Sequence, residues 1–248
     1  VSNGLDDKSV VITRSASQNA SLRLLLEAVG AQVVEVPLLS IEEPEDNGRM
    51  RDELLQKFDQ FDWLVVTSPN GAERVAPFLA ASAAAGDAVR VPHIAAVGEA
   101  TAHSLGISVD AVDLVASPAR ASVLVDQFPS GEGTVLLVQG DLADNELAEG
   151  LAAKGWIVAR VDAYRTVQLR PSPEMMIPAL AADALLLASG SAASAWFDAF
   201  GTSTPPVVVS IGPSTTKVAQ RLGLDVTSTA SEQTLEGLVA TADEALSQ

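Results

Sequence analysis

Short aliphatic runs alternate along the whole chain with stretches in which apolar positions recur every three to four residues. The first run, 9–13, leads into an amphipathic stretch, 19–29, with Leu22, Leu25 and Leu26 on one face and Gly30 closing it. An apolar run returns at 32–36. Strand, helix ended by glycine and strand form the βαβ unit of a parallel sheet. Further strands are predicted at 63–67, 93–97, 134–138, 157–161, 184–188 and 207–211. All the runs except 32–36 and 157–161 feed a turn rich in Ser, Thr or Gly and then a helical period. With only three Trp, one Tyr and six Phe, the core must be aliphatic and alanine, which suits strands buried on both faces.

The pattern repeats internally. Segment A, 10–36, matches A′, 135–161, without a gap, and Gly30 faces Gly155 at an offset of 125. Segment B, 62–72, matches B′, 183–193, at an offset of 121, pairing Asp62 with Asp183 and Ser68 with Ser189. Segment C, 93–101, matches C′, 207–215, at an offset of 114, pairing Gly98 with Gly212 and Thr101 with Thr215. The order A-B-C-A′-B′-C′ implies two similar α/β units of about three βα elements each. It leaves open whether ABC and A′B′C′ pack separately or A joins B′C′ while A′ closes BC.

Composition narrows the chemistry. Fifteen Lys and Arg against 32 Asp and Glu give a net charge of −17, unsuited to nucleic acid or an anionic membrane. The absence of Cys removes thiolate nucleophiles, Cys-ligated zinc and iron–sulfur clusters. His93, entering a strand, and His103, on a helix, are too few for a His metal centre or a triad. Neither a G-x-G-x-x-G after the first strand nor a G-x-x-x-x-G-K-[ST] occurs, so dinucleotide and P-loop folds are not indicated. The acidic cluster around Pro44 (Glu42, Glu43, Glu45, Asp46) reads as a solvated loop. The polar start of the chain carries no export signal, and the longest uncharged stretch, 199–216, contains Pro205, Pro206 and Gly212, so a cytoplasmic protein is expected.

In an open parallel sheet, ligands meet the carboxyl ends of the strands, where loops feed helix N-termini. The loops there are 14–17, 67–71, 98–101, 189–191 and 212–215. Free N–H groups and a hydroxyl at a helix start hold an anion without formal positive charge, and the same residues serve as ordinary N-caps. The sole tyrosine, Tyr164, follows segment A′, where the chain leaves one unit. A phenol there would face the cleft between lobes and could donate a hydrogen bond to a departing group.

Taken together, VVITRS near the start, FDWLVVTSPNGA, IAAVGEATA, the G-x-x-V-x-x-x-x-x-Y-R-T stretch ending at Thr166, and IGPSTT resemble uroporphyrinogen-III synthase, in order, from about Ser9 to Val239. The resemblance implies two parallel-sheet α/β lobes joined by a two-stranded linker, with discontinuous domains: 1–36 plus 169–248, and 42–163, with linkers 37–41 and 164–168. It implies a cofactor-independent lyase that cyclises hydroxymethylbilane, a linear tetrapyrrole with eight carboxylates, and inverts its last ring. It implies that Tyr164 assists hydroxyl departure. Arg14, Ser68, Asn70, Thr101, Ser189, Ser191, Ser214 and Thr215 would bind carboxylates, with no metal. Two positions depart from the family pattern: Gln139 where many relatives carry Arg, and Gly190 in place of a Pro. The expected state is a monomer. The rivals are a non-catalytic bilobal module that clamps a small polyanion, and a nucleotide- or cofactor-dependent transferase on a Rossmann-like sheet.

Overall fold

The structure, a computed structural model, describes residues 4–85 and 90–247 without the side chains of 16–18, so Ser17 in the first loop lies outside the described side chains. The strands are β1 (Ser9–Ile12), β2 (Gln32–Glu35), β3 (Leu39–Glu42), β4 (Trp63–Val66), β5 (His93–Ala96), β6 (Leu114–Val115), β7 (Thr134–Gly140), β8 (Ile157–Gln168), β9 (Ala184–Leu187), β10 (Val207–Ser210) and β11 (Ser228–Thr229). The helices are α1 (Ala16–Ala28), α2 (Arg49–Leu55), α3 (Pro69–Ala85), α4 (Glu99–Ser104), α5 (Ala121–Gln127), α6 (Glu146–Ala153), α7 (Pro173–Ala181), α8 (Gly190–Phe200), α9 (Pro213–Arg221) and α10 (Leu235–Leu246). Val1–Ser40 with Val167–Gln248 forms one compact unit and Ile41–Thr166 the other.

The first unit holds a parallel sheet in the order β11-β10-β9-β1-β2. Because side chains alternate along a strand, each strand supplies both faces. Val11, Leu185, Leu187 and Val208 pack with Trp196 and Phe200 on one face. Val10, Ile12, Leu186 and Val209 pack with Leu22, Leu26 and Leu238 on the other. That is why these strands read as unbroken apolar runs.

The second unit is built the same way, in the order β3-β8-β7-β4-β5-β6. Leu64, Val66, Leu136 and Val138 meet Leu55, Val75 and Leu105 on one face. Trp63, Val65, Val135 and Leu137 meet Leu124, Phe128 and Leu151 on the other. Both crossings of the chain between the units fall within β3 and β8, which are hydrogen-bonded neighbours.

Each sheet carries the same polar fastening at the amino ends of its central strands. Asp183 accepts from the Ser9 N–H (2.8 Å) and the Ser9 hydroxyl (2.7 Å), tying β9 to β1. Asp62 accepts from the Thr134 N–H (2.8 Å) and from Arg90 (2.9 Å), tying β4 to β7. These donors hold both carboxyls below the usual Asp range. The two-residue β6 and β11 are too short to show as runs in the sequence.

The acidic cluster stays exposed at Glu43 and Glu45, as a solvated loop does, but it is also tied down by partners from the fold. Asp46 accepts from the N–H groups of Gly48 (3.0 Å) and Met50 (2.8 Å) at the start of α2. Glu43 takes both the buried Arg51 (2.6 Å) and Arg74 (3.0 Å), and Glu42 takes Arg165 (2.8 Å). Local charge density showed the hydration but not the arginines that pair with it, which come from α2, α3 and β8.

Candidate active site

Tyr164 lies on β8, opposite the end of β7. Pairing runs in step from Thr134↔Ile157 to Gln139↔Asp162 and then slips, so that Gly140 faces Tyr164 rather than Ala163. The extra residue is a β-bulge, a device that re-aims a side chain. The ring settles over Gly140, where a Cβ would come within 2.7 Å of Cζ and 2.8 Å of Oη. No other residue type leaves that space.

The phenol reaches the start of α3. Its Oη lies 3.1 Å from Ser68 Oγ, which also accepts from the Gly71 N–H at 3.2 Å. One turn on, the Arg74 guanidinium lies 5.6 Å from the ring centroid and donates to the Asn70 carbonyl at 3.0 Å. The structure therefore brings together Tyr164, Ser68 and Asn70 of the expected residues. Arg74 was not legible as a partner, since only the fold sets it beside Tyr164. Thr101 stays apart: its side chain is buried and donates to the Val97 carbonyl at 2.9 Å.

A cavity of about 410 Å³ opens beside Tyr164, Arg51 and Arg165. Glu45, Asp46, Asp141 and Asp162 also line it. Four carboxylates make it hostile to a polyanion. Gln139 is buried on β7, and the amide orientation that satisfies both groups turns its oxygen to Arg160 Nε at 2.8 Å. A cation thus stands next to the position where the family pattern has Arg.

In the first unit, β1, β9 and β10 are parallel neighbours, so the segments after them leave the same edge of the sheet. Arg14 follows β1, Ser189 and Ser191 follow β9, and Ser214 and Thr215 follow β10. Burial lowers the pKa of the Arg14 guanidinium. Ser189 Oγ caps α8 by accepting from the Ala192 N–H at 3.1 Å, as Ser68 caps α3. Ser214 is exposed and Thr215 buried. Beside them, Thr216 bridges Ser210 (2.5 Å) and Thr229 (2.7 Å), a hydroxyl chain that sequence spacing did not show. Among the described residues, no cluster of His, Cys, Asp or Glu could hold a metal ion, and no helix is long and apolar enough to cross a membrane.

A family model described as Uroporphyrinogen-III synthase HemD matches residues 20–240. The chain belongs to the uroporphyrinogen-III synthase family. It is 33% identical over 200 residues to the chloroplastic uroporphyrinogen-III synthase of Oryza sativa subsp. japonica, covering 76% of this chain and 64% of that protein. It is 31% identical over 162 residues to the uroporphyrinogen-III synthase of Synechococcus elongatus, covering 64% of this chain and 61% of that one. The match thus spans somewhat under two thirds of the length of these relatives.

Solved structures agree on the fold. A uroporphyrinogen III synthase mutant from Thermus thermophilus aligns with a TM-score of 0.63 at 18% identity, over 97% of this chain and 99% of that one. The Helicobacter pylori uroporphyrinogen-III synthetase gives 0.58 at 16% identity, over 94% and 97%. The fold is the α/β, parallel-sheet fold of uroporphyrinogen-III synthases.

Proposed function

We propose that this chain is a cofactor-independent uroporphyrinogen-III synthase: it closes hydroxymethylbilane into a ring with loss of water and inversion of the terminal pyrrole. The observation that carries the reading is Tyr164. The only phenol in the chain is aimed by a bulge and a glycine, and its hydroxyl is held at the start of α3. A phenol so placed is suited to give a proton to a departing hydroxyl.

Loss of that hydroxyl leaves a cation stabilised by the pyrrole itself, so the protein's main task is orientation. Carboxylates of the substrate would be met by Arg14, Asn70, Ser191 and Ser214, and by N–H groups at the starts of α8 and α9, with the buried Thr215 contributing through the start of α9. The hydroxyls of Ser189 and Thr101 are already engaged by Ala192 and Val97, so those two residues contribute through the helix starts they shape. The chain would act as a monomer in the cytoplasm, on a small molecule rather than on nucleic acid or a membrane.

The test is to supply hydroxymethylbilane and separate the cyclic products. Enrichment of isomer III over the symmetric isomer I is expected. In Tyr164→Phe its rate should fall at least about a hundredfold, within the range for general acids. Isomer I alone, at the rate in buffer, would point to the binding module instead.

A further inference from the structure

Ser68 Oγ has two hydrogen-bond partners among the described residues, the Gly71 N–H and Tyr164 Oη. A serine hydroxyl has one proton to give. Either oxygen can donate across the Ser68–Tyr164 contact. With Gly71 donating to Ser68 Oγ, the arrangement that gives the Ser68 proton an acceptor among the described residues is donation to Tyr164 Oη, and the phenolic proton is then turned away from the pair. Gly71 sits in the first turn of α3, a helix of 17 residues, at its positive end.

Arg74 adds charge to this arrangement. Its guanidinium stands over the Tyr164 ring and is anchored by the Asn70 carbonyl and by Glu43. Glu43 is shared with Arg51, which also donates to Asp52 at 2.8 Å, so the two guanidiniums are matched by two carboxylates and what Arg74 brings is its place over the ring. The whole cluster lies within Ile41–Thr166.

We infer that Ser68 and Arg74 are positioning residues for proton donation by Tyr164, Ser68 directing the phenolic proton outward and both supporting the negative charge that forms on Oη as it leaves. The inference rests on the role of Tyr164 proposed above. In the step, the proton passes from Oη to the substrate's terminal hydroxyl oxygen. The carbon–oxygen bond breaks and its electron pair leaves with water, while the pyrrole nitrogen lone pair fills the vacancy at carbon. After ring closure, the proton released from the ring carbon returns to Oη. Ser68 on this account is not a carboxylate contact.

Kinetics separate the two roles. Ser68→Ala should lower kcat for isomer III about tenfold, and Arg74→Met about threefold, with KM within about twofold of the parent. Ser68→Thr, which keeps a hydroxyl, should restore kcat. In a Tyr164→Phe background neither substitution should lower kcat further, because the group they act on is gone. Additive losses, or a raised KM with kcat kept, would overturn the proposal.

A second readout needs no turnover. Protein labelled with 13C at tyrosine Cζ carries one such resonance, because Tyr164 is the sole tyrosine. That resonance should shift in Ser68→Ala and in Arg74→Met and return in Ser68→Thr. An unmoved resonance overturns the proposal while leaving isomer III synthesis standing. Absence of isomer III in the parent protein, with the resonance moving as expected, overturns the synthase reading and the catalytic role given to the pair, and leaves only the contact.

Discussion

At the scale of single residues, the site depends on a missing side chain. Gly140 lets the Tyr164 ring lie flat against β7, and an alanine there would press on Cζ and Oη. Gly140→Ala should therefore displace the ring, cost about 1–3 kcal/mol of stability and lower isomer III formation about tenfold or more. Thermal unfolding and product analysis check both, and a variant with parent-like turnover would show that the ring position does not matter. The rarity of Tyr164 was plain in the sequence, and so were Ser68 and Asn70 as residues at a helix start. Their contact was not, because Ser68 and Tyr164 are 96 positions apart and meet only through the pairing of β4, β7 and β8. Arg74 gave no signal at all: an arginine on a helix looks like any solvated cation until the ring beneath it is placed.

Among secondary-structure elements, the duplication shows in polar details as well as apolar runs. Asp62 and Asp183 occupy matched positions, and each bonds the first residue of the neighbouring strand, Thr134 or Ser9. Gly30 and Gly155 end matched helices with φ of 87° and 98°, the left-handed turn that glycine adopts freely. Periodicity revealed the eight longer runs because burial on both faces leaves no polar positions in them. β3 escaped because its residues alternate with Ser40 and Glu42, and the reach of β8 to Gln168 escaped because its far half carries polar residues. Asp183, with its pKa depressed by Ser9, supports the fold above the ordinary carboxylate value near 4 and loses that support as the pH falls through its lowered value. Asp183→Asn should cost about 1 kcal/mol at pH 7, a charged hydrogen bond discounted for partial exposure, and less near pH 3. Urea unfolding at both pH values measures it, and an equal cost at each would mean that ionisation is not involved.

For the molecule as a whole, charge sets the terms of encounter. A chain at −17 and the proposed substrate with its eight carboxylates would repel at long range, so local donors would have to work against the general field. Raising the ionic strength from about 0.01 M to about 0.1 M shortens the screening length from about 30 Å to about 10 Å and should lower KM while leaving kcat unchanged. A KM that rises over this range would show that local cations such as Arg14 dominate instead. The pairing of β1 with β9 also has a consequence for how the protein is made. As the ribosome releases the chain, Ile41–Thr166 is complete and can close its sheet while β1 still lacks the neighbour that begins at Ala184. β1 must wait with one edge bare for some 170 residues of synthesis, roughly ten to thirty-five seconds at common elongation rates. Until β9 follows, the free edge of β1 is open to pairing with neighbouring chains.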